Sequence, residues 1–355
     1  MPPVTTALIA ANTVVYAVMV LRGVHPVSPT SQQLLDWGAN WAPLSLSSQP
    51  WRVLASTYLH AGIIHIAVNM WCLWSLGQLG EQIFDGLTYF LIYTVCGISG
   101  SLASLWWHSY FSNPLIVGVG ASGAIFGIAG ALIAALYLGH LPVPRSALRG
   151  TLKSLVMFAV YNLFFGAAIG AIDNAAHIGG LVSGLALGAA MAKHLMTSRE
   201  ARAAWRLLVF PVAAVVLVAA FFQVQKANSY ALSLEKGMKA MQGGKFADSA
   251  NFLEQAHAKK PNDRSIMLLL ASAYVQNTDY AKAVPLFERA LEIDPNDESV
   301  QFNLGLAQMN LGQFDQAIAH LQKAVDLDPK DQDAQEALRE AMAQKHLKEQ
   351  SVKGR

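Results

Sequence analysis

Four polar side chains stand out in otherwise apolar stretches: His65, Asn69, Ser122 and His177. Their types suit acyl transfer. A serine hydroxyl is a weak nucleophile until an adjacent base, most often a histidine, takes its proton. An asparagine amide carries two donors, and donors positioned on an oxyanion lower the barrier by roughly 3–4 kcal/mol each. His65 and Asn69 are four residues apart and share one helix face. Ser122 sits in Gly120-Ala121-Ser122-Gly123, where glycines let the backbone turn tightly and a substrate approach closely. Residue 124 is alanine, so this is not the GxSxG elbow of soluble hydrolases. Each feature alone has an ordinary structural reading. Serine among glycine and alanine packs membrane helices, a histidine at a helix end is a satisfied interfacial group, and a His–Asn pair is interhelical polar glue worth about 1 kcal/mol. The chemical reading rests on their joint presence.

The elements that would carry these residues are membrane spans. Nine Lys/Arg and five Asp/Glu fall in residues 1–225, against sixteen and eighteen in the remaining 130. A charge-poor segment followed by a charge-rich one describes a membrane domain joined to a soluble one. The mild net charge of +2 points away from nucleic acid. A bilayer core needs about 20 largely apolar residues per helix, and seven stretches qualify: about 4–21, 57–79, 87–107, 115–139, 151–171, 175–196 and 207–224. The seventh is short and carries Pro211. Arg145, Arg149 and Lys153 cluster between spans four and five, and Lys193, Arg199, Arg202 and Arg206 between six and seven. The positive-inside rule makes both loops cytoplasmic. The N-terminus is then cytoplasmic, and the segment 22–56 lies outside with everything after span seven. The first run has no basic leader before it and is expected to be retained as a span.

In this topology spans four and six both begin on the outer side, which puts Ser122 and His177 at similar depth. Gly180, Gly184 and Gly188 form a small-residue stripe on span six, and Gly123 and Gly127 another on span four. Such stripes let helix backbones approach closely. If the two meet, a Ser–His pair follows naturally. Cys72 and Cys96 show no spacing that implies a disulfide framework or metal cluster. No HExxH is present, and Glu81, Asp85 and Asp173 form no aspartyl-protease pattern. Glu81 and Asp85 are expected in a cytoplasmic turn and helix cap. No metal and no cofactor is expected.

From residue 230 the signal is a repeat. Pro261, Pro295 and Pro329 are 34 residues apart, and the same register aligns Phe246, Tyr280 and Phe314, then Leu253, Phe287 and Leu321, then Ala256, Ala290 and Ala324. This resembles the tetratricopeptide repeat, whose 34-residue unit is two helices, over about 230–330 with 331–346 as a cap. The first copy is degenerate, with Lys236 and Ser249 where leucine and alanine are usual. Stacked repeats make a concave surface for a protein partner.

Trp51-Arg52, His65-x-x-x-Asn69, Gly120-x-Ser122-Gly123 and Ala176-His177-x-x-Gly180-x-x-x-Gly184 stand in the order and spacing seen in the rhomboid family of intramembrane serine proteases. The resemblance covers about residues 45–195. It implies a Ser122–His177 dyad without a third acid, and an oxyanion site from the Asn69 amide, the His65 ring and the Ser122 backbone N–H. Some relatives place a tyrosine that stacks on the catalytic histidine four residues after the nucleophile; here that residue is Phe126, a ring without the hydroxyl. The fold expected is all-α: a six-helix rhomboid-like core, a seventh span and a tetratricopeptide domain. Its parts are 1–200 for the membrane protease domain, 201–229 for the seventh span and linker, 230–346 for the repeats and 347–355 for a tail. The expected function is intramembrane serine endopeptidase activity on transmembrane protein substrates. The setting is a multi-pass location in a lipid bilayer, a bacterial plasma membrane, with the repeats on the outer side. The rival is a catalytically silent membrane scaffold, which has no need of both Ser122 and His177. A transporter would show paired midplane charges or inverted repeats with broken helices, and neither is found.

Overall fold

The computed structural model describes residues 2–111, 116–139, 141–169 and 172–353. The outermost residues of two expected spans, 115 and 170–171, lie outside the described residues, as do the last two of the tail. The described chain is all-α and falls into two compact units, Met1–Asn228 and Ser229–Arg355.

In the first unit, helices α1 (Pro3–Leu21), α5 (Ile63–Phe84), α6 (Gly86–Phe111), α9 (Asn174–Ala192) and α10 (Arg199–Ala227) are long and apolar enough to cross a membrane, as is Leu148–Ala168 within α8 (Arg145–Ile169). Short helices α2 (Ser31–Asp36), α3 (Ala42–Ser45) and α4 (Arg52–Ala55) fold the segment between α1 and α5. Arg52 organises that segment: its buried guanidinium donates to the Leu35 and Ala39 carbonyls and to Gln49.

Two expected spans differ from the structure. The helix of span four, α7 (Ser122–Leu138), has 17 residues and begins at Ser122 rather than near 115. The preceding chain is held extended by an Asn40–Gly118 backbone pair and turns at Gly120 with φ +131°, a conformation open to glycine and closed to a helix. Span two starts at Ile63, not 57, because Gly62 breaks the backbone at φ +117°. His60 therefore lies before the span rather than in it.

The short α7 is the axis of the bundle. It is apolar on every side, the pattern of a helix surrounded by others, and all but a few of its residues are buried. It packs most closely on α9, and the two stripes do meet. A Cβ at Gly180 would lie 1.9 Å from the Gly123 carbonyl oxygen, one at Gly184 2.0 Å from that of Gly127, and one at Gly188 2.3 Å from that of Ala131. The expected caps at the opposite end are formed. Glu81 accepts the Val4 and Thr5 N–H groups at the start of α1, and Asp85, at φ +63°, caps α6 through Thr88.

The expected seventh span, α10, runs for 29 residues despite Pro211. Its start is tied to the α5–α6 turn by Arg206 on Asp85 at 3.2 Å and to the end of α9 by the Trp205 indole on the Ala190 carbonyl. Its far end reaches the Leu46 carbonyl through Gln225 and Ser109 through Asn228. The helix thus traverses the bundle from the α5–α6 turn to the end where α7 and α9 begin.

The second unit contains three helical hairpins: α11 (Ala231–Gln242) with α12 (Phe246–Lys259), α13 (Arg264–Gln276) with α14 (Tyr280–Ile293), and α15 (Glu298–Asn310) with α16 (Phe314–Leu327). Helix α17 (Gln332–Lys353) packs on the last. Each repeat proline begins a turn that ends two residues later in an aspartate. Asp263, Asp297 and Asp331 accept first-turn N–H groups of α13, α15 and α17. The degenerate first copy closes by other means. Ser249 is fully buried and donates to the Gly237 carbonyl, and the Lys236 ammonium sits over the Phe252 ring.

Candidate active site

Ser122 is the first residue of α7, so its N–H lies in the turn whose amides have no intrahelical acceptor. The partial positive charge of the helix start adds to that amide. Gly120 is required twice over: its φ is positive, and a Cβ there would come within 3.0 Å of the His65 ring.

His177 lies in the first turn of α9 and is buried. Its imidazole stacks on Phe126, with ring centroids 4.2 Å apart and planes 11° from parallel. Phe126 is one turn after Ser122, so α7 carries both the hydroxyl and the surface that fixes the ring opposite it. Nδ1 of His177 is buried without a hydrogen-bond partner among the described residues, and no third acid touches it.

His65 and Asn69 share the inward face of α5. The Asn69 amide donates to the His65 carbonyl at 3.0 Å, which occupies one of its two N–H groups. The Nδ1 of His65 accepts the Ala61 N–H at 3.2 Å. That assigns the proton of the neutral ring to Nε2, an atom that a Cβ on Gly120 would meet at 3.0 Å. His60, fully buried, meets the His65 ring edge-on at 5.2 Å.

Ser122, His177, His65 and Asn69 all line one cavity of about 580 Å³, with Phe126 among its apolar walls. The structure therefore brings the four sequence-expected residues to one place from three helices. Ser122 and His177 are not hydrogen-bonded to each other here, and such bonds often tighten only when substrate is bound. Three further polar residues on the cavity wall, His108, Asn162 and Asp173, have no role assigned from sequence. The separation of His108 from Asp173 along the chain hides their proximity.

The chain matches the Rhomboid domain over residues 47–194 and tetratricopeptide repeats over 234–298 and 275–344. It is similar to rhomboid protease GluP of Bacillus subtilis, with 31% identity over 278 residues, 78% of this chain and 51% of that protein. RHOMBOID-like protein 6 of Arabidopsis thaliana is 37% identical over 163 residues, 46% of this chain and 50% of that one. Rhomboid protease AarA of Providencia stuartii is 31% identical over 197 residues, 51% of this chain and 69% of that one. The chain thus spans about half the length of the first two of these relatives.

Proposed function

The chain belongs to the rhomboid family, and on that premise we propose that it is an intramembrane serine endopeptidase working through a Ser122–His177 dyad. Its family and its apolar helices make it a multi-pass membrane protein with protease relatives. The observation that carries the finer reading is the shared cavity, where a serine at a helix start faces a buried, ring-stacked histidine.

In this reading the substrate is a membrane protein whose chain enters the cavity in extended form. His177 takes the Ser122 proton as the hydroxyl attacks the carbonyl carbon, then gives it to the leaving amine. The oxyanion is held by the Ser122 N–H, the second N–H of Asn69 and the Nε2–H of His65. These are donors in place before charge develops. Phe126 holds the imidazole plane without the hydroxyl that a tyrosine would add. Water then releases the acyl group by the same route in reverse. The repeats, in this reading, lie outside a bacterial plasma membrane and hold a partner or a substrate ectodomain, raising its local concentration. The course of α10 supports that side, since the helix ends at the face where the cavity lies.

The test is cleavage of a single-pass reporter in proteoliposomes. Ser122→Ala and His177→Ala should each abolish it while the protein stays folded, and the double variant should be no worse than either. Undiminished cleavage by Ser122→Ala or His177→Ala would return the chain to the silent-scaffold reading.

A further inference from the structure

Asp173 is the N-cap of α9. One carboxylate oxygen accepts the Ala176 N–H at 3.0 Å, and the other accepts the Ser104 hydroxyl from α6. His108, one turn further along α6, places Nε2 3.6 Å from the same carboxylate. The Asp173 carbonyl also accepts the His177 N–H at 3.2 Å, the backbone bond that closes the first turn of the helix. Asp173 is thus fastened to α6 by its side chain and to His177 by its backbone.

The surroundings leave that turn little freedom. A Cβ on Gly100 of α6 would lie 2.8 Å from the Ala176 carbonyl oxygen, and one on Gly179 2.4 Å from the Ala103 Cβ. His177 itself has no carboxylate on Nδ1. In a serine triad that carboxylate orients the base. In this chain the base is oriented from the two sides the structure does provide, the Phe126 ring and the turn of helix that Asp173 anchors.

We propose that Asp173, held by Ser104 with the His108 ring beside it, is a positioning residue for His177, setting the imidazole opposite Ser122 through the first turn of α9. The proposal rests on the dyad reading above. Asp173→Ala releases the cap and the α6 anchor together. Asp173→Asn keeps both, since asparagine caps helices as well as aspartate does and the Ser104 hydroxyl can either donate or accept. Ser104→Ala removes the anchor alone and leaves the cap.

The experiment uses the full chain in proteoliposomes with two readouts: cleavage of a single-pass reporter, and labelling of the active serine by a fluorophosphonate. Wild type should label and cleave, and Ser122→Ala should do neither; failure of that pair overturns the dyad reading itself. With it in hand, Asp173→Ala should lower kcat by about 10- to 100-fold with little change in KM, the scale of a displaced catalytic group. It should slow the labelling rate constant while the final labelled fraction stays at the wild-type level. Asp173→Asn should recover most of the loss. Ser104→Ala should cost several-fold in the wild-type background and nothing further beside Asp173→Ala, because it acts through the same carboxylate. A drop in labelled fraction with an unchanged rate constant would mean that Asp173 merely supports folding, and wild-type kinetics in Asp173→Ala would remove it from the mechanism. An equal Ser104→Ala penalty in both backgrounds would also overturn the proposal.

Discussion

Gly184→Ala should be among the most damaging single-methyl changes outside the cavity, although it lies seven residues beyond His177. The added Cβ would sit 2.0 Å from the Gly127 carbonyl oxygen and 2.7 Å from Gly127 Cα, where ordinary contact begins at 3.4 Å. The shortfall against the oxygen is 1.4 Å. Both sides of the contact are backbone, so no rotamer change relieves it, and α9 must move from α7. Overpacking of this kind costs about 1–3 kcal/mol of stability. The larger effect is kinetic: the displacement is borne by the two helices that carry Ser122 and His177, and an error of about 1 Å in such a pair can cost ~100-fold in rate. The assay is initial-rate cleavage of a single-pass reporter in proteoliposomes, with folding checked by thermal unfolding. Gly150→Ala is the control, since a Cβ there meets nothing within 4 Å. Gly184→Ala should lose about two orders of magnitude in kcat and Gly150→Ala almost nothing. A folded Gly184→Ala protein with wild-type kcat would refute the claim that backbone contact between α7 and α9 sets the dyad.

Asn69→Ala should lower kcat by about 100-fold, as loss of an oxyanion donor does, with KM nearly unchanged; a pure KM effect would make Asn69 a packing or binding residue. A cysteine introduced in place of Lys330, in a background with Cys72 and Cys96 replaced by alanine, should react with a membrane-impermeant reagent on intact cells. Labelling only after the membrane is opened would place the repeats inside. In the repeats, burial raises the Asp297 carboxyl, but the Arg264 guanidinium and the Val300 N–H outweigh it and hold the group below its usual range. A lowered folded pKa stabilises above the unfolded value, near 3.9, and that stability is lost as pH falls through the folded value. Arg264→Ala should therefore destabilise residues 229–355 by about 0.5–1 kcal/mol at neutral pH in urea unfolding, the modest value of a partly exposed pair. The difference from wild type should shrink well below pH ~4. A difference independent of pH would mean that Arg264 acts by packing alone.

Sequence patterns located the helices well because helices depend on local rules, and the four polar residues they singled out line one cavity. Apolar runs of bilayer length marked the spans, the 34-residue period marked the hairpins, and the glycine stripes anticipated the pairing of Gly123 with Gly180 and Gly127 with Gly184. Hydropathy could not find where α7 begins. Residues 116–121 are as apolar as a helix, and the break depends on a backbone pair with Asn40, some eighty residues earlier. The same blindness to distant contacts hid the Asp173–Ser104–His108 junction, in which Ser104 and Asp173 lie 69 residues apart in the chain. Ser249 looked like a defect in the first repeat until the Gly237 carbonyl appeared beside it.

The shortness of α7 has a consequence for the membrane as well as for the protein. At 1.5 Å per residue its 17 residues rise about 26 Å, against about 33 Å for the 22 residues of α5. The missing length falls at the end where the cavity lies, so the short helix leaves room for the cavity that Ser122 lines. Under the proposed protease reading, hydrolysis needs water where hydrocarbon excludes it, and a truncated central column would admit water without an unpaired polar group facing lipid. Depth in the bilayer then becomes a form of selectivity. On the proposed dyad reading, the bond that meets Ser122 would be one lying as far below the surface as α7 is short, whatever side chains surround it. Lipids of different thickness would shift which bond that is, making the host membrane a participant in the choice of scissile position.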